Sequence, residues 1–344
     1  MKVLFDHPNP FFLAHGGFQI QIEQTKAALD SIGVQTEYLK WWDDQHSADI
    51  IHYFGRPSAA YVELAQKKGI KVVLAELLTE LGSRARLIRL AQKSFMETAQ
   101  RALPGSFTVR MGWDSFRRAD ACLALTPWEA ELMIRMFRAP PDRVHVVSNG
   151  VEDIFLEKHP TKRLEWLVCT ATITERKRVL ELAQASVLAQ TPVWIVGKPY
   201  AESDPYARRF LSFANQHPDL VRYEGAINDR QKLAGVYRQA RGFVLLSAWE
   251  SLSLSALEAA ACGCPLLLSD LPWARSVFGE EASYCPVGSA KKMSGPLQTF
   301  YAQAPNLKPP GRPKRWIEVA GQLKSLYESL CGTRSPTASN LSQA

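Results

Sequence analysis

Short apolar runs recur along the chain and alternate with stretches of helical spacing or with polar loops. The first run covers residues 2–5 and precedes a helical pattern over residues 18–33. Runs this short, without alternation of polar and apolar positions, are typical of strands buried on both faces of a parallel sheet. Further strands are predicted at residues 34–39, 48–53, 71–74, 122–125, 144–147, 167–170 and 193–196.

The most regular stretch, residues 241–270, combines two such runs with a helix. An apolar run at 243–246 ends in a small polar turn, and residues 254–262 have helical spacing that stops at Gly263. A second apolar run follows at 265–268. The stretch therefore predicts a strand–helix–strand unit of a parallel sheet.

Length and linker composition predict two domains. The chain has 344 residues, which is long enough for two domains of ordinary size. A polar stretch around Pro160 predicts a linker, which places one domain at residues 1–157 and a second at residues 164–312. Because strands alternate with helices in both parts, the predicted fold class is α/β, with two doubly wound, Rossmann-like parallel sheets. The small polar residues of 332–344 predict a disordered tail.

Composition and charge exclude several classes of protein. The hydrophobic fraction, 46%, is that of a globular protein, and no apolar run reaches the ~20 residues of a transmembrane helix. The start lacks the features of a signal peptide, and the six cysteines form no Cys-x-x-Cys pair. We therefore expect a cytoplasmic protein with reduced cysteines. The net charge of +7 arises in the second half without a nucleic-acid-binding motif, so we expect no nucleic-acid partner.

Two carboxylates within residues 241–270 are the main candidates for chemistry. Glu250 follows the strand predicted at 243–246, and Glu258 lies on the helix after it. Ligands of open parallel sheets bind beyond the carboxyl ends of the strands, where a helix starting near Ser253 points its N–H groups at a diphosphate. Carboxylates accept hydrogen bonds from neutral hydroxyls. The pattern therefore favours a sugar nucleotide, which has hydroxyls at both ends and charge in the middle. The alternative is that both glutamates are solvated surface residues.

The sequence around these glutamates resembles that of a known family. ESLSLSALE followed by AAACGCPLLLSD resembles the Glu-x7-Glu signature of family-4 retaining glycosyltransferases, which have the GT-B fold. The resemblance implies that Glu250 contacts the donor sugar and Glu258 the ribose. It also implies that the backbone of Ser251, Leu252 and Ser253 meets the hexose. The family has glycine where this chain has Ser251 and Ser253, so we expect a reshaped sugar pocket.

Two further segments carry the same resemblance and imply a diphosphate site. Gly16 and Gly17, in a loop between a strand and a helix, match the family's glycine loop, whose backbone faces the donor diphosphate. TATITERKR resembles the element that grips the pyrophosphate, which implies this role for Arg176 and Lys177. Thr172 stands where many members have an arginine. With one cation fewer, we expect Arg176 to be more important for binding the pyrophosphate.

The resemblance extends to the base pocket and to the crossing between domains. VRYEG resembles the strand and glycine that border the base, with Gly225, Ala226 and Ile227 contacting the base through the backbone. ADACLALTPWEAELM and the later PPDRVHVVSNGVEDIF resemble the unit that closes the first domain. In the GT-B fold a terminal helix, here residues 315–331, packs back on the first domain.

One departure from the family concerns a histidine. Many members carry a histidine just after the fourth strand, where this chain has Glu76, Leu77 and Leu78. Glu76 and His52 are the candidates to replace it. A histidine at a strand end, however, is more often structural than catalytic.

Residues 84–118 form a basic segment with two open interpretations. Either the charges lie on a solvated helix face, or they contact an anionic acceptor or the anionic inner face of a membrane. The second interpretation implies a peripheral membrane protein with a lipid-linked or polyanionic acceptor. The basic residues are Arg84, Arg86, Arg89, Lys93, Arg101, Arg110, Arg117 and Arg118.

Together these features predict a retaining hexosyltransferase. The donor is expected to be a nucleoside diphosphate sugar, and the acceptor a glycan, a lipid-linked sugar or a small molecule. The resemblance implies no cofactor, no metal ion and no covalent intermediate, and the chain contains no Asp-x-Asp motif. Two alternatives stay open: a GT-B enzyme of another reaction, such as a sugar-nucleotide epimerase or phosphorylase, and a non-catalytic sugar-nucleotide-binding module.

Overall fold

The computed structural model describes residues 1–8, 11, 16–102, 111–159 and 161–332, and these form two parallel sheets. The first contains β1 (Lys2–Asp6), β2 (Gln35–Tyr38), β3 (Ile50–Phe54), β4 (Lys71–Ala75), β5 (Ala121–Ala124) and β6 (Val144–Val146). The second contains β7 (Leu167–Thr170), β8 (Val193–Val196), β9 (Val221–Tyr223), β10 (Gly242–Leu245), β11 (Leu266–Ser269) and β12 (Ser283–Cys285). Their orders are β2-β1-β3-β4-β5-β6 and β12-β11-β10-β7-β8-β9.

Helices connect the strands in both halves of the chain. The first half has α1 (Gly17–Ser31), α2 (Ala59–Lys67), α3 (Thr79–Ser83), α4 (Arg86–Ala102), α5 (Ser115–Arg118) and α6 (Pro127–Phe137). The second has α7 (Asp153–Leu156), α8 (Val179–Ala189), α9 (Pro205–Gln216), α10 (Arg230–Gln239), α11 (Leu254–Ala261), α12 (Pro272–Phe278) and α13 (Ala290–Gln303). Helix α14 (Trp316–Gly332) follows.

Both sheets are doubly wound. The order in which strands are added reverses between β1 and β3 in the first sheet and between β7 and β10 in the second. Strands β5, β7 and β10 are buried along their whole length, as expected where helices cover both faces. The predicted α/β fold class is therefore confirmed, with strand bounds that differ from the predicted ones by at most two residues. Ligands of such sheets bind at the reversal points, beyond the carboxyl ends of the strands.

The chain crosses between the sheets twice, and the two crossings pair with each other. Val151 forms an isolated parallel bridge with Arg315. Gly150 lies so close to the second crossing that a Cβ on it would stand 2.6 Å from the amide nitrogen of Trp316. Any residue larger than glycine there would force the two backbone segments apart, so their close pairing requires glycine at position 150.

Helix α14 returns to the first sheet and packs beside α1. The hydroxyl of Tyr327 lies 2.7 Å from Nδ1 of the buried His52 on β3. Of the predicted tail, 332–344, Gly332 ends the helix and the rest lies outside the described residues. The shared apolar cluster contains Trp316, Val319, Ala320, Leu323 and Tyr327 together with Val3, Phe5, Ile22 and Leu29.

The Tyr327→Phe variant should lower the melting temperature by a few degrees. Removal of the hydroxyl leaves the Nδ1 atom of His52 buried without this partner, which costs about 1–2 kcal/mol. Thermal unfolding of the full chain measures the shift. The matched control is Tyr301→Phe, because the hydroxyl of Tyr301 bonds to the exposed Glu165. Equal melting temperatures for Tyr327→Phe and the wild type would contradict a stabilising contact.

Candidate active site

A cleft of about 470 Å³ lies at the carboxyl ends of the two sheets. Its walls come from both halves of the chain. The first half contributes the loop and helix start around Gly16 and Gly17, and the second contributes the turn from Trp249 to Ser255. Parallel sheets bind ligands at this edge, and the volume is that of a small-molecule site.

Glu250 forms a buried ion cluster in the cleft with two cations. One of its carboxylate oxygens accepts hydrogen bonds from Nη1 of Arg176, at 2.8 Å, and from Nζ of Lys177. Thr174 caps the short helical turn that carries both cations, since its hydroxyl accepts a bond from the Lys177 amide. Burial alone would raise the pKa of Glu250, but Lys177 and Arg176 outweigh burial and hold this pKa below its ordinary value. Glu250 is therefore ionised at neutral pH, and the cluster keeps one net positive charge.

Glu258 lies in the same cleft with different partners. Its carboxylate accepts hydrogen bonds from the Arg230 guanidinium and, at 3.0 Å, from the Tyr237 hydroxyl. Arg230 also donates to Glu152 at 2.7 Å, and its guanidinium lies 4.7 Å from the centre of the Phe155 ring. Burial raises the pKa of Glu258, and Arg230 offsets only part of that rise. With Glu152 and Glu258 both ionised, two carboxylates around one arginine leave a net negative charge.

Helix α11 begins between Glu250 and Glu258 in the sequence. Ser253 caps the helix, because its hydroxyl accepts a hydrogen bond from the Ala256 amide at 3.3 Å. The amides of a first helical turn have no partner within the helix and carry partial positive charge. Leu254 and Ser255 of this turn line the cleft. Two cations and a helix start therefore lie in the same cleft as a carboxylate that accepts a hydrogen bond from a hydroxyl.

The glycine loop of the first half faces this helix start. Gly16 has a φ of +143°, a conformation that residues with a side chain rarely adopt. A Cβ on Gly17 would lie 3.6 Å from the side chain of Leu254. The backbone conformation of the loop therefore favours glycine at position 16, and Gly17 lies within ordinary contact distance of the start of α11. The role of this backbone towards a diphosphate stays a prediction.

The hydroxyl of Ser251 links the two halves of the chain. It donates a hydrogen bond to the carboxylate of Glu129 on α6, and both residues are buried. Glu129 also accepts hydrogen bonds from the amides of Leu78 and Leu125, each at 3.0 Å. Burial raises the pKa of Glu129, and these donors offset part of that rise. The serine that replaces the family's glycine therefore directs its hydroxyl towards the first half of the chain.

His52 and Glu76 do not line the cleft. They border a separate cavity of about 20 Å³ beside it. Burial lowers the pKa of His52 to about 3, so its ring is neutral and serves as the partner of Tyr327. Glu76 pairs with Arg56 at 2.6 Å. Each side chain has a structural partner, and neither is placed to replace a catalytic histidine in the cleft.

Gly225, Ala226 and Ile227 follow β9 and are likewise not among the residues that line the cleft. The carbonyl of Gly225 accepts a hydrogen bond at 2.6 Å from the amide of Gly197, which follows the neighbouring strand β8. The three residues therefore lie at the carboxyl edge of the second sheet. Their contact with a base stays a prediction.

Arg230 and Tyr237, the two partners of Glu258, were not predicted from the sequence. A usable signal exists for Arg230. Asp229 caps α10 by accepting hydrogen bonds from two amides of its first turn. Arg230 therefore stands in the first turn after β9, at the edge where parallel sheets bind ligands. Tyr237 lies in the last turn of the same helix and is buried among apolar side chains, where an aromatic residue is ordinarily part of the core.

Two family matches cover the two halves of the chain. Residues 23–150 match the family described as glycosyl transferase 4-like domain. Residues 165–302 match the family described as glycosyl transferases group 1. Each match contains most or all of the strands of one sheet. The boundary between the two family matches therefore falls between the two sheets.

Curated relatives match about half of the chain. The D-inositol 3-phosphate glycosyltransferase of Xylanimonas cellulosilytica is 33% identical over 184 residues, which cover 48% of this chain and 44% of that protein. The O-antigen chain mannosyltransferase B of Escherichia coli is 25% identical over 184 residues, which cover 48% of each chain. The matched part thus spans less than half the length of these relatives.

Solved structures resemble the whole chain. A sucrose-phosphate synthase from Thermosynechococcus elongatus has a TM-score of 0.71 at 18% identity and covers 96% of this chain and 99% of its own. Anabaena HepE in complex with UDP-glucose has a TM-score of 0.63 at 12% identity, covering 96% of this chain and 100% of its own. At such identities the likeness shows the fold alone, and that fold is GT-B, as predicted.

The Arg230→Met variant should lose about 3 kcal/mol of stability, because it leaves Glu258 buried without a cation. Burial and the nearby Glu152 then raise the pKa of Glu258 further. A carboxyl whose folded pKa exceeds its unfolded value destabilises the folded state, and this penalty grows as the pH rises from the unfolded pKa through the folded pKa. The loss relative to the wild type should therefore be larger at pH 8 than at pH 5. Denaturant unfolding at both pH values measures it.

Two further variants test whether the Glu258 charge causes this loss. Adding Glu258→Gln to Arg230→Met should restore part of the stability and remove the added pH dependence. Arg135→Met removes an exposed arginine from a pair with Glu131 and should change stability by less than about 0.5 kcal/mol. A loss in Arg230→Met that is the same at both pH values and unaffected by Glu258→Gln would refute the electrostatic explanation.

Proposed function

Because both halves of this chain belong to glycosyltransferase families, we propose that it transfers a hexosyl group from a nucleoside diphosphate sugar to an acceptor hydroxyl. One observation carries the proposal. The Glu250 cation cluster, the start of α11 and the Glu258 carboxylate line a single cleft. This arrangement offers positive charge for a diphosphate beside acceptors for sugar hydroxyls. The UDP-glucose bound by Anabaena HepE belongs to the same donor class.

In the proposed reaction the bond between the anomeric carbon and the diphosphate oxygen breaks. Negative charge then grows on the leaving diphosphate, and Arg176, Lys177 and the first-turn amides of α11 stabilise it. Glu250 keeps both cations in place and accepts hydrogen bonds from the sugar. Glu258 accepts hydrogen bonds from the ribose. These roles follow the resemblance, and the contacts of the two glutamates support them.

Transfer is proposed to retain the anomeric configuration of the donor. Glu250 is buried and uses one oxygen to bind two cations, so it is poorly suited to attack the sugar. The acceptor hydroxyl instead attacks the anomeric carbon from the face that the diphosphate leaves. The new carbon–oxygen bond forms on that face, and the acceptor proton passes to the departing diphosphate.

Glu258→Ala should weaken nucleotide binding at least tenfold, because a buried carboxylate that accepts ribose hydroxyls is lost. Glu250→Ala should retain nucleotide binding and mainly reduce transfer. Thermal-shift titrations with UDP, GDP and ADP, and then with their sugars, measure binding, since a ligand of the folded state raises its stability. Turnover of the sugar that binds best measures transfer, and NMR of the product gives its anomeric configuration.

The matched control for these variants is Glu202→Ala, which removes an exposed glutamate of the second half of the chain. Its nucleotide affinity and turnover should equal those of the wild type. Full nucleotide affinity and turnover in both Glu258→Ala and Glu250→Ala would refute the proposed site. A product of inverted configuration would refute the proposed stereochemistry alone.

The basic segment presents an apolar face to solvent. On α4, the side chains of Leu87 and Phe95 are 79% and 66% exposed, and Ile88 and Leu90 lie exposed near them. Several of its cations are engaged within the protein, and Arg110 lies outside the described residues. The engaged cations are Arg84 with Glu80, Arg117 with Asp114, Arg118 with Glu63, and Arg89 over the Trp128 ring.

We infer that this face of α4 lies in the headgroup region of an anionic membrane as a peripheral contact. Burial of the exposed leucine, isoleucine and phenylalanine side chains in this region is favourable. The positive charge of Lys93 on the same helix attracts anionic lipid headgroups. Within the described residues, no helix is both long and apolar enough to cross a bilayer. A contact of this kind would bring a lipid-linked acceptor to the first half of the chain.

The double variant Leu87→Gln/Phe95→Gln should reduce co-sedimentation with phosphatidylglycerol vesicles at least fivefold, since each change removes apolar area from the contact. Leu188→Gln is the control, because Leu188 is 60% exposed on α8 of the other half. Wild-type binding should also fall as salt rises. A wild-type chain that does not sediment with these vesicles, or a double variant that sediments equally, would contradict the membrane contact.

A further inference from the structure

Two adjacent tryptophans project from the first half of the chain into solvent. Trp41 is 85% exposed and Trp42 69% exposed. Their ring centres lie 5.6 Å apart, with planes at 89° to each other. Trp41 is the most exposed large apolar side chain among the described residues. Two adjacent indoles with this exposure form a candidate binding surface, since tryptophan is enriched where proteins contact ligands and partners.

Hydrogen bonds within the loop hold the two tryptophans in place. The amide of Asp43 donates to the carbonyl of Lys40 at 3.0 Å, and the amide of His46 donates to the carbonyl of Asp43 at 3.3 Å. The His46 ring contacts the Lys40 amide and the Glu37 carboxylate. The loop is therefore an ordered turn that keeps both indoles away from the core.

Aromatic rings connect Tyr38, which precedes this loop, with the cleft. Tyr38, which is 43% exposed, ends β2 just before the loop, and its ring centre lies 6.3 Å from that of Phe11. Phe11 in turn lies 5.8 Å from His7. His7 lies 5.0 Å from Phe18, which lines the cleft. The row of rings therefore runs from the residue before the tryptophan loop to the wall of the candidate active site.

The charges beside the indoles favour a neutral carbohydrate as the occupant. Asp43 and Asp44 follow Trp42 directly, and Lys40 is the one lysine or arginine of residues 40–46, so the loop carries net negative charge. An anionic bilayer or a polyanion would be repelled there. A sugar ring suits the surface, since its C–H face packs on an aromatic ring and its hydroxyls donate hydrogen bonds to carboxylates.

We propose that Trp41, Trp42 and Tyr38 form an acceptor platform, which stacks the sugar rings of a neutral glycan and leads its end towards the cleft. This inference rests on the proposed glycosyltransferase function, which requires an acceptor. It adds to that function a chemical class of acceptor, a chain of uncharged sugar rings, and the residues that bind it. The acceptor platform lies outside the donor site, so the two can be tested separately.

The test measures binding of defined oligosaccharides to the full chain. Mannohexaose, maltohexaose and cellohexaose are titrated against the wild type, and binding is followed calorimetrically. At least one of them should bind the wild type, and Trp41→Ala/Trp42→Ala should weaken that binding at least tenfold. Trp41→Phe/Trp42→Phe should recover most of the affinity, because it keeps two aromatic faces. Leu64→Ala, a change at a 62% exposed leucine on α2, should have no effect.

Two further measurements distinguish a failure of the acceptor platform from a failure of the proposed function. Thermal shifts with UDP, GDP and ADP should be equal in the wild type and the tryptophan variants, and a wild type that binds no nucleotide would count against the proposed function alone. Absence of oligosaccharide binding in the wild type, or equal binding in Trp41→Ala/Trp42→Ala, would overturn the acceptor platform. Loss of binding to phosphatidylglycerol vesicles in that variant, without loss of oligosaccharide binding, would make the surface a membrane contact and overturn it as well.

Discussion

Glu250 and Glu258 can be buried at the cleft only because cations from other parts of the second half compensate their charge. A buried carboxylate without a partner is costly, so the positions of Lys177 and Arg230 are constrained together with those of the glutamates. Strand order meets this constraint for Glu250. Glu250 lies after the end of β10, and the two cations Arg176 and Lys177 lie after the end of β7. These two strands are neighbours in the sheet, although they are far apart in the chain.

The same constraint explains why the cleft has two kinds of surface. Around Glu250 the cations outnumber the carboxylate, and the start of α11 adds further positive potential. Around Glu258 the carboxylates outnumber the arginine. A ligand with a charged middle and neutral hydroxyls matches this arrangement. The first half of the chain also contributes to the cleft. Gly17 lies next to the start of α11, and Glu129 accepts a hydrogen bond from the hydroxyl of Ser251.

Local patterns were sufficient to predict the fold and part of the site. Short apolar runs identify buried strands because a parallel sheet has no solvent-facing side. Residues just after a strand share one edge of the sheet, which makes Glu250, Arg176 and Lys177 predictable as neighbours. Partners joined by packing are not predictable in this way. Ser251 and Glu129 are 122 residues apart, and His52 is 275 residues from Tyr327, with no pattern connecting either pair. Composition likewise shows the charge of α4 but not which of its side chains face water.

The proposed nucleotide site is tested most directly by a crystal structure of the full chain, with crystals soaked in turn in UDP, GDP and ADP. We expect one of these nucleotides in the cleft, with its diphosphate between the Arg176–Lys177 pair and the start of α11. Its ribose hydroxyls should lie within hydrogen-bond distance of the Glu258 carboxylate. A nucleotide bound elsewhere, or bound in the cleft with its diphosphate away from both cations, would show that the cation cluster and the start of α11 are not the diphosphate site.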